Sequence, residues 1–407
     1  MLALVSGDDP CDLPSGHPSY VIAHALAAQA AGFEPHVFCV GAASELEYTA
    51  FGTVHRIAAP STRWLLAPAY YRRLARAVAA YLETAPGPVP HVIHGFGMWA
   101  QCAASAQAIL ARRGVPAVVV ASAYATAARA LGGVLRDPRS HGDLRFWMRY
   151  ARLYPWTRTV IWQLERRGYR RAQAVLVNYE SVARVLRETH GAELNIRRIP
   201  YAAPAAFNPN LDPGTIPPPA SALHGDVPLI VSVSRHDPPK GLDVLLRALA
   251  ALRTQGIRFR ARLVGPGHLL GAHRRLADHL ALSDLVEIPG RVDDVFCHLL
   301  DADVFVLPSL REVSGSISVL EAMQAGKAIV ASAVDGMIED LEHERSALLV
   351  PPGDAGALAQ AIGRVLDDGQ LRAMLGSGAR TEFEQRFSAK AMVRGIAELY
   401  AELGVST

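Results

Sequence analysis

The stretch "VPLIVSVSRHDPPKGLDVLLRALAALRTQG", residues 227–256, decides how this chain is read. It opens on a run that is apolar nearly throughout, "PLIVSVS" (228–234). It closes on a segment whose Leu242, Leu245, Leu246, Leu249 and Leu252 fall on one face at helical spacing. A short strand without alternation, followed by an amphipathic helix, is the repeating unit of a parallel sheet covered on both faces. In the loop between them stand Arg235 and Lys240, and that lysine is one of only three in a chain with 38 arginines. Two cations at a strand's carboxyl end, beside a helix N-terminus, suit an anion such as a diphosphate. Lysine offers a compact point charge on a long stem where arginine offers a flat fork.

Outward from this unit the same alternation runs through the whole chain. "MLALVS", "HVFCVG", "HVIHGFG", "PAVVVAS" and "AVLVN" are brief hydrophobic strands in the first half, each followed by an Ala/Arg-rich helical segment. "RARLVG", "LVEIPG", "DVFVLPS", "KAIVAS" and "ALLVPPG" continue the series in the second. Two such series imply two doubly wound α/β domains, and 407 residues suit two domains of about 200 each. Proline and glycine crowd residues 199–226, which reads as the connection. The expected organisation is a first domain over 1–204, a linker over 205–226 and a second domain over 227–385. A C-terminal helix over 386–407 is expected to pack back on the first domain. Ligands of open parallel sheets bind beyond the carboxyl ends of the strands, so the expected site is a cleft on which both sheets open.

A second constellation follows "DVFVLPS", in "LREVSGSISVLEAMQAGKAIVAS" (310–332). Glu312 lies in a Gly/Ser-rich loop and Glu321 in the first turns of a helix. Ser314, Gly315 and Ser316 are small enough for a ligand to approach the backbone, whose N–H groups can meet phosphate oxygens. Carboxylates do not hold phosphate, but they accept hydrogen bonds from sugar hydroxyls. Two cations and two carboxylates fit a diphosphate with hydroxylated ends, which describes a nucleotide sugar.

The blocks "SVSRHDPPKGLDVLLRALA", "LVGPG", "GRVDDVFCHLLDADVFVLPSLREVSGSISVLEAMQAGKAIVASAVDGMIED" and "ALLVPPGDAGALAQAI" resemble the donor domain of the retaining GT-B glycosyltransferases of family GT4. The first half resembles that family more loosely, through "SGHPSYVIAHALAAQAAGFEPHVF", "HVIHGFGMWAQ" and "RAQAVLVNYESVARVLRETHG". The resemblance implies that Arg235 and Lys240 bind the donor diphosphate, that Glu312 contacts the transferred sugar and that Glu321 holds the ribose. It adds Gly265, Arg291 and the Ser314–Gly315–Ser316 amides to the donor site, and Gly16 as part of a glycine-rich N-terminal loop. The chain departs from the pattern in three places. Eight residues separate Glu312 from Glu321 where the family has seven. Ala123 and Tyr124 stand where many relatives carry histidine, which leaves His94, after "HVI", as the alternative catalytic imidazole or as a structural histidine. "IPYA" replaces the usual "IPNG".

Charge is unevenly spread. Residues 1–200 carry 22 arginines against 13 acids, a net of +9, and the remainder carries a net of −6. Residues 136–171 hold ten arginines with Phe146, Trp147, Tyr150, Tyr154, Trp156 and Trp162 interleaved. That composition suits an anionic lipid surface, or else a helical arm whose aromatics pack inward. It would suit nucleic acid as well, but no nucleic-acid motif accompanies it, so none is expected as a partner. Four scattered cysteines without metal spacing read as reduced thiols of a cytoplasmic protein, peripheral on the inner face of the membrane if it meets one. "MLALVSGDD" reads as a first strand, not a signal peptide, and no window is apolar for about 18 residues.

No metal and no cofactor are expected. "DAD" at 301–303 opens a buried strand, Asp293 and Asp294 read as helix N-terminal residues, and His268, His273 and His279 as lying on an Arg-rich surface helix without a ligand constellation. The expected activity is transfer of a sugar, with retention, from a UDP- or GDP-type donor to an acceptor hydroxyl on a lipid-linked glycan or natural product. Retention is implied by the resemblance alone. A sugar-nucleotide epimerase of the same fold and a nonenzymatic sugar-nucleotide-binding protein are the alternatives.

Overall fold

In the computed structural model of the chain, residues 1–11, 17–58, 68–87, 89–124, 126, 131–132, 135, 144–211, 215, 226–312 and 315–405 are described. The chain divides into two compact units. One comprises Met1–Gly133, Met148–Phe207 and Ala389–Thr407, the other Val134–Trp147 and Asn208–Ser388. Both are built on parallel sheets.

The first unit's strands are β1 (Leu2–Val5), β2 (Pro35–Gly41), β3 (Glu45–Thr49), β4 (Gly52–Ala58), β5 (His91–Phe96), β6 (Ala117–Ser122), β7 (Ala174–Val177) and β8 (Ile196–Arg198). Their order is β3-β4-β2-β1-β5-β6-β7-β8, parallel except for the β3–β4 hairpin. Leu2, Ala3, Leu4 and Val5 are wholly buried, as a central strand covered on both faces must be. The helix Ala389–Glu402 belongs to this unit and buries Met392, Ile396, Leu399 and Tyr400, the i, i+4, i+7, i+8 stripe of a core-facing helix. Tyr400 meets Phe33 edge to face with ring centroids 5.0 Å apart.

The second unit's strands are β9 (Leu229–Val233), β10 (Arg260–Val264), β11 (Val286–Gly290), β12 (Val304–Leu307), β13 (Ala328–Ser332) and β14 (Leu348–Val350). Their order is β11-β10-β9-β12-β13-β14, all parallel. The helix Leu242–Thr254 buries all five leucines of its stripe against this sheet. Each contributes about 2 kcal/mol of apolar burial, and Leu249→Ala would cost about 2–5 kcal/mol.

The chain leaves β9 toward β10 and β11 on one side, then returns to lay β12, β13 and β14 on the other. The strand order therefore reverses between β9 and β12. At such a point neighbouring loops diverge and leave a crevice at the carboxyl ends.

Candidate active site

The loop after β9 carries the two cations. Asp237 has extended backbone, Pro238 and Pro239 start a single 3-10 turn ending at Lys240, and Gly241 takes a left-handed φ of 63° before the helix begins. A Cβ on Gly241 would lie 2.2 Å from the Pro308 carbonyl oxygen, so this loop presses against the end of β12 and only glycine fits. The close approach brings Lys240 to the second constellation. Its Nζ donates to Glu312 Oε1 at 2.6 Å, and Ser309 Oγ donates to the same oxygen at 2.7 Å. Lys240 and Glu312 are 18% and 8% exposed, so the pair is largely withdrawn from water. Arg235 instead points outward, with its side chain 65% exposed and paired to Asp237 at 2.8 Å.

Gly265, at the end of β10, has φ 140°, and a Cβ there would lie 2.0 Å from the Ser234 carbonyl oxygen. The ends of β9 and β10 are therefore in backbone contact immediately before Arg235. His236, wholly buried, bonds His273 through the two Nδ1 atoms at 2.8 Å, while His268 bonds Asp237 at 3.0 Å. Burial, with the neighbouring His273 second, pushes His236 down to about 4. His273 is the inward-facing histidine of its helix, 4% exposed and bonded to the loop that bears the cations. Arg291 follows β11 and is exposed, two strands away from β9.

The helix Ile317–Gln324 starts at Ser316, whose backbone is extended. Ser318 Oγ donates to the Val233 carbonyl at 2.8 Å and ties this helix start to the end of β9. Gly315 and Ser316 thus lie beside the β9 loop, and Glu321 follows one turn into the helix. Burial first, and the Asp294 charge second, push the Glu321 carboxyl up to about 7. Ser314 and Gly16 lie outside the described residues.

Other acidic candidates have structural work. Asp303 Oδ2 accepts from the Leu229 amide at 2.7 Å, and Asp301 lies 3.8 Å from Arg262. Asp294 caps its helix by accepting from the Phe296 and Cys297 amides. Among the described residues no three His, Cys, Asp or Glu side chains gather as metal ligands.

His94 stands apart from this constellation, in β5 of the first unit. It is 0% exposed; Nδ1 bonds Tyr400 at 3.2 Å, Nε2 bonds Ser122 at 2.7 Å, and the ring stacks on Phe96. Burial, then the neighbouring His24, hold the imidazole well below the ordinary histidine range. Both nitrogens are engaged within the unit's own core. Tyr124 bonds His24 at 2.5 Å and stacks on Tyr20.

Of the Arg/aromatic segment, 136–143 lies outside the described residues. The rest is helix Leu144–Trp156, a π turn Thr157–Ile161 and helix Trp162–Arg171. Arg152, Arg158 and Arg167 are exposed, while Tyr150, Tyr154, Trp156 and Trp162 are half-buried. Arg166 lies over the Trp162 ring at 5.0 Å, and Trp162, Gln163, Arg166, Arg167 and Arg170 line a surface groove. The rings of the described residues are turned partly inward and the arginines Arg152, Arg158 and Arg167 outward.

Sequence reasoning missed Asp335. Its Oδ2 accepts from the Glu312 amide at 2.8 Å across 23 positions, and its backbone has φ 40°. The only local signal was "DG" at 335–336, which marks a turn without revealing what the carboxylate reaches.

Two family models match the chain, one described as a glycosyl transferase 4-like domain over residues 15–202, the other as glycosyl transferases group 1 over 227–368. A glycosyltransferase named for colanic acid biosynthesis, WcaL of Escherichia coli K12, is 36% identical over 183 residues, which are 43% of this chain and 45% of WcaL. The match thus takes in less than half of that relative. Sucrose-phosphate synthase of Thermosynechococcus elongatus shares the fold at a TM-score of 0.75 and 23% identity, over 99% of this chain and 98% of its own. Anabaena HepE, solved with UDP and glucose, shares it at 0.70 and 20% identity, over 98% and 99%. The chain is a GT-B fold member of the group 1, GT4-like glycosyltransferases.

Proposed function

We propose that this protein transfers a sugar from a nucleotide diphosphate sugar to an acceptor hydroxyl, with retention at the anomeric carbon, in the assembly of a bacterial glycan. The observation that carries the reading is the Lys240–Glu312 pair beyond the carboxyl ends of β9 and β12, with Arg235 exposed in the same loop as Lys240. In this reading the donor diphosphate takes Lys240 and Arg235 from their carboxylate partners, and Glu312 turns to the sugar hydroxyls. Glu321, anchored with its helix to β9, accepts from the ribose. The bond from the anomeric carbon to the diphosphate breaks while a bond to the acceptor oxygen forms on the same face, and the acceptor proton passes to the departing phosphate. The two cations neutralise the charge that grows on that leaving group.

HepE, whose fold the chain shares, was solved with UDP and glucose, and relatives are named for colanic acid and lipopolysaccharide core biosynthesis. Those names support a nucleotide-sugar donor and a glycan acceptor. The exposed arginines of 144–171 support peripheral contact with an anionic lipid surface carrying that acceptor. Among the described residues no helix is long and apolar enough to cross a membrane.

The test is a panel of radiolabelled UDP-, GDP- and ADP-sugars, each scored for thermal stabilisation, donor hydrolysis and transfer, in excess EDTA. Stabilisation by one nucleotide with release of its sugar is the expected result, since the protein supplies the cations itself. Absence of stabilisation and turnover across the panel overturns the reading; return of an isomerised donor points to an epimerase.

A further inference from the structure

We propose that Asp335 is a positioning residue for Glu312, kept in a left-handed backbone so that its carboxylate fixes the loop after β12. The proposal rests on the reading of Glu312 as the contact to the transferred sugar. β9, β12 and β13 are adjacent strands, and the loops that leave them carry Lys240, Glu312 and Asp335. Glu312 is held at both ends: its carboxylate by Lys240 and Ser309, its amide by Asp335. The two grips differ in kind. A donor diphosphate competes for Lys240, so the carboxylate can change partner, but it does not compete for an amide already bonded to a carboxylate. Asp335 leaves the Glu312 backbone in place while the side chain switches.

The backbone of Asp335 supports this assignment. A φ of 40° suits glycine, and a glycine stands next door at 336 with φ −62°, where any residue would do. Aspartate commonly justifies left-handed backbone by bonding its own turn. Here that turn is closed by backbone bonds, from the Val334 amide to Ser332 and from the Met337 amide to Val334, and the carboxylate reaches another loop. Strain retained where its relief is one substitution away marks a functional constraint.

Asp335→Gly removes the acceptor and the strain together, while Asp335→Asn keeps an acceptor and tolerates the same backbone. The glycine variant is expected to melt no lower than wild type, to bind the nucleoside diphosphate found in the panel equally well, and to turn over its sugar donor about tenfold more slowly. The asparagine variant is expected to stay within about threefold of wild type. Amide exchange at Glu312 is read on the same three proteins: faster in the glycine variant, protected in the other two. Equal protection in all three overturns the proposal, whatever the donor chemistry proves to be. Faster exchange in the glycine variant with unchanged donor turnover overturns the functional role of the contact.

Discussion

The two units solve the same topological problem differently. In each, the strand order reverses beside a central strand, between β1 and β5 in the first unit and between β9 and β12 in the second. In the second unit the loops after β9, β12 and β13 carry Lys240, Glu312 and Asp335, joined by an ion pair and a hydrogen bond, while Arg235 pairs with Asp237 in its own loop. In the first, β5 turns His94 into the core, and a Cβ on Gly7, after β1, would strike the Trp99 ring. Of the described charges in the β1 loop, Asp9 is taken up by Arg56, which also binds Glu45 and Glu47, and Asp8 lies 3.3 Å from His17. Among the described residues, one reversal sets cations against carboxylates; the other sets a tryptophan ring and the Arg56 ion cluster.

The sharpest attempt to break this comparison is Lys240→Ala. If Lys240 meets the leaving diphosphate as proposed, its loss should cost about 10²–10³ in kcat with the fold retained, and Lys240→Arg should recover only part, because a planar fork does not replace a point charge in a tight loop. Wild-type turnover in the alanine variant would remove the second unit's claim to the chemistry. The converse change is His94→Ala, which empties a core site and strands Ser122 and Tyr400. It should cost about 3 kcal/mol in urea unfolding and leave turnover per folded molecule unaltered. Slower turnover at undiminished stability would return His94 to the reaction.

A smaller, pH-dependent effect sharpens the contrast. Glu321 has its folded pKa raised to about 7 from an ordinary 4.5. The folded state therefore holds the proton more tightly than the unfolded state, and the resulting stability is present below about 4.5 and lost as pH rises through 7. Glu321→Gln should thus melt higher than wild type by a margin that widens from pH 5 to pH 8, while binding the nucleotide less well. A margin independent of pH would show that the carboxylate is not buried as described. The smallest effect belongs to the first unit's outer face. Each of Arg152→Gln, Arg158→Gln and Arg167→Gln should weaken low-salt binding to phosphatidylserine-containing vesicles by about 1 kcal/mol with donor affinity unchanged. Equal partitioning of wild type and variants would make this face an ordinary solvated surface.

What could be read from sequence follows the same division. Strands such as "MLALVS" and "PLIVSVS" announce themselves because burial on both faces demands apolar residues without alternation. The β3–β4 hairpin did not, since in "ELEYT" the apolar Leu46 and Tyr48 are themselves exposed and the strand is too short to stand out. Lys240 was conspicuous by type and by its place after a strand. The other internal lysine that stands out, Lys327, has a local purpose, donating to the Leu300 carbonyl at a helix end. His94 stayed open between two readings because a histidine's letter is the same whether its nitrogens face a ligand or a Tyr400 hydroxyl contributed 306 positions away. Asp335 escaped because its meaning lies in a hydrogen bond to a loop 23 positions distant, which spacing does not encode.

The grouping of Ala389–Thr407 with the first unit has a consequence for biosynthesis. A nascent chain displays β1 to β8 long before Met392, Ile396 and Tyr400 exist to cover Phe33 and to bond His94. The intervening stretch, Asn208–Ser388, takes roughly 10–40 s to translate. Throughout that interval the first sheet waits with one patch of its interior uncovered, while the second can close as soon as it emerges. The half made first is therefore the half finished last.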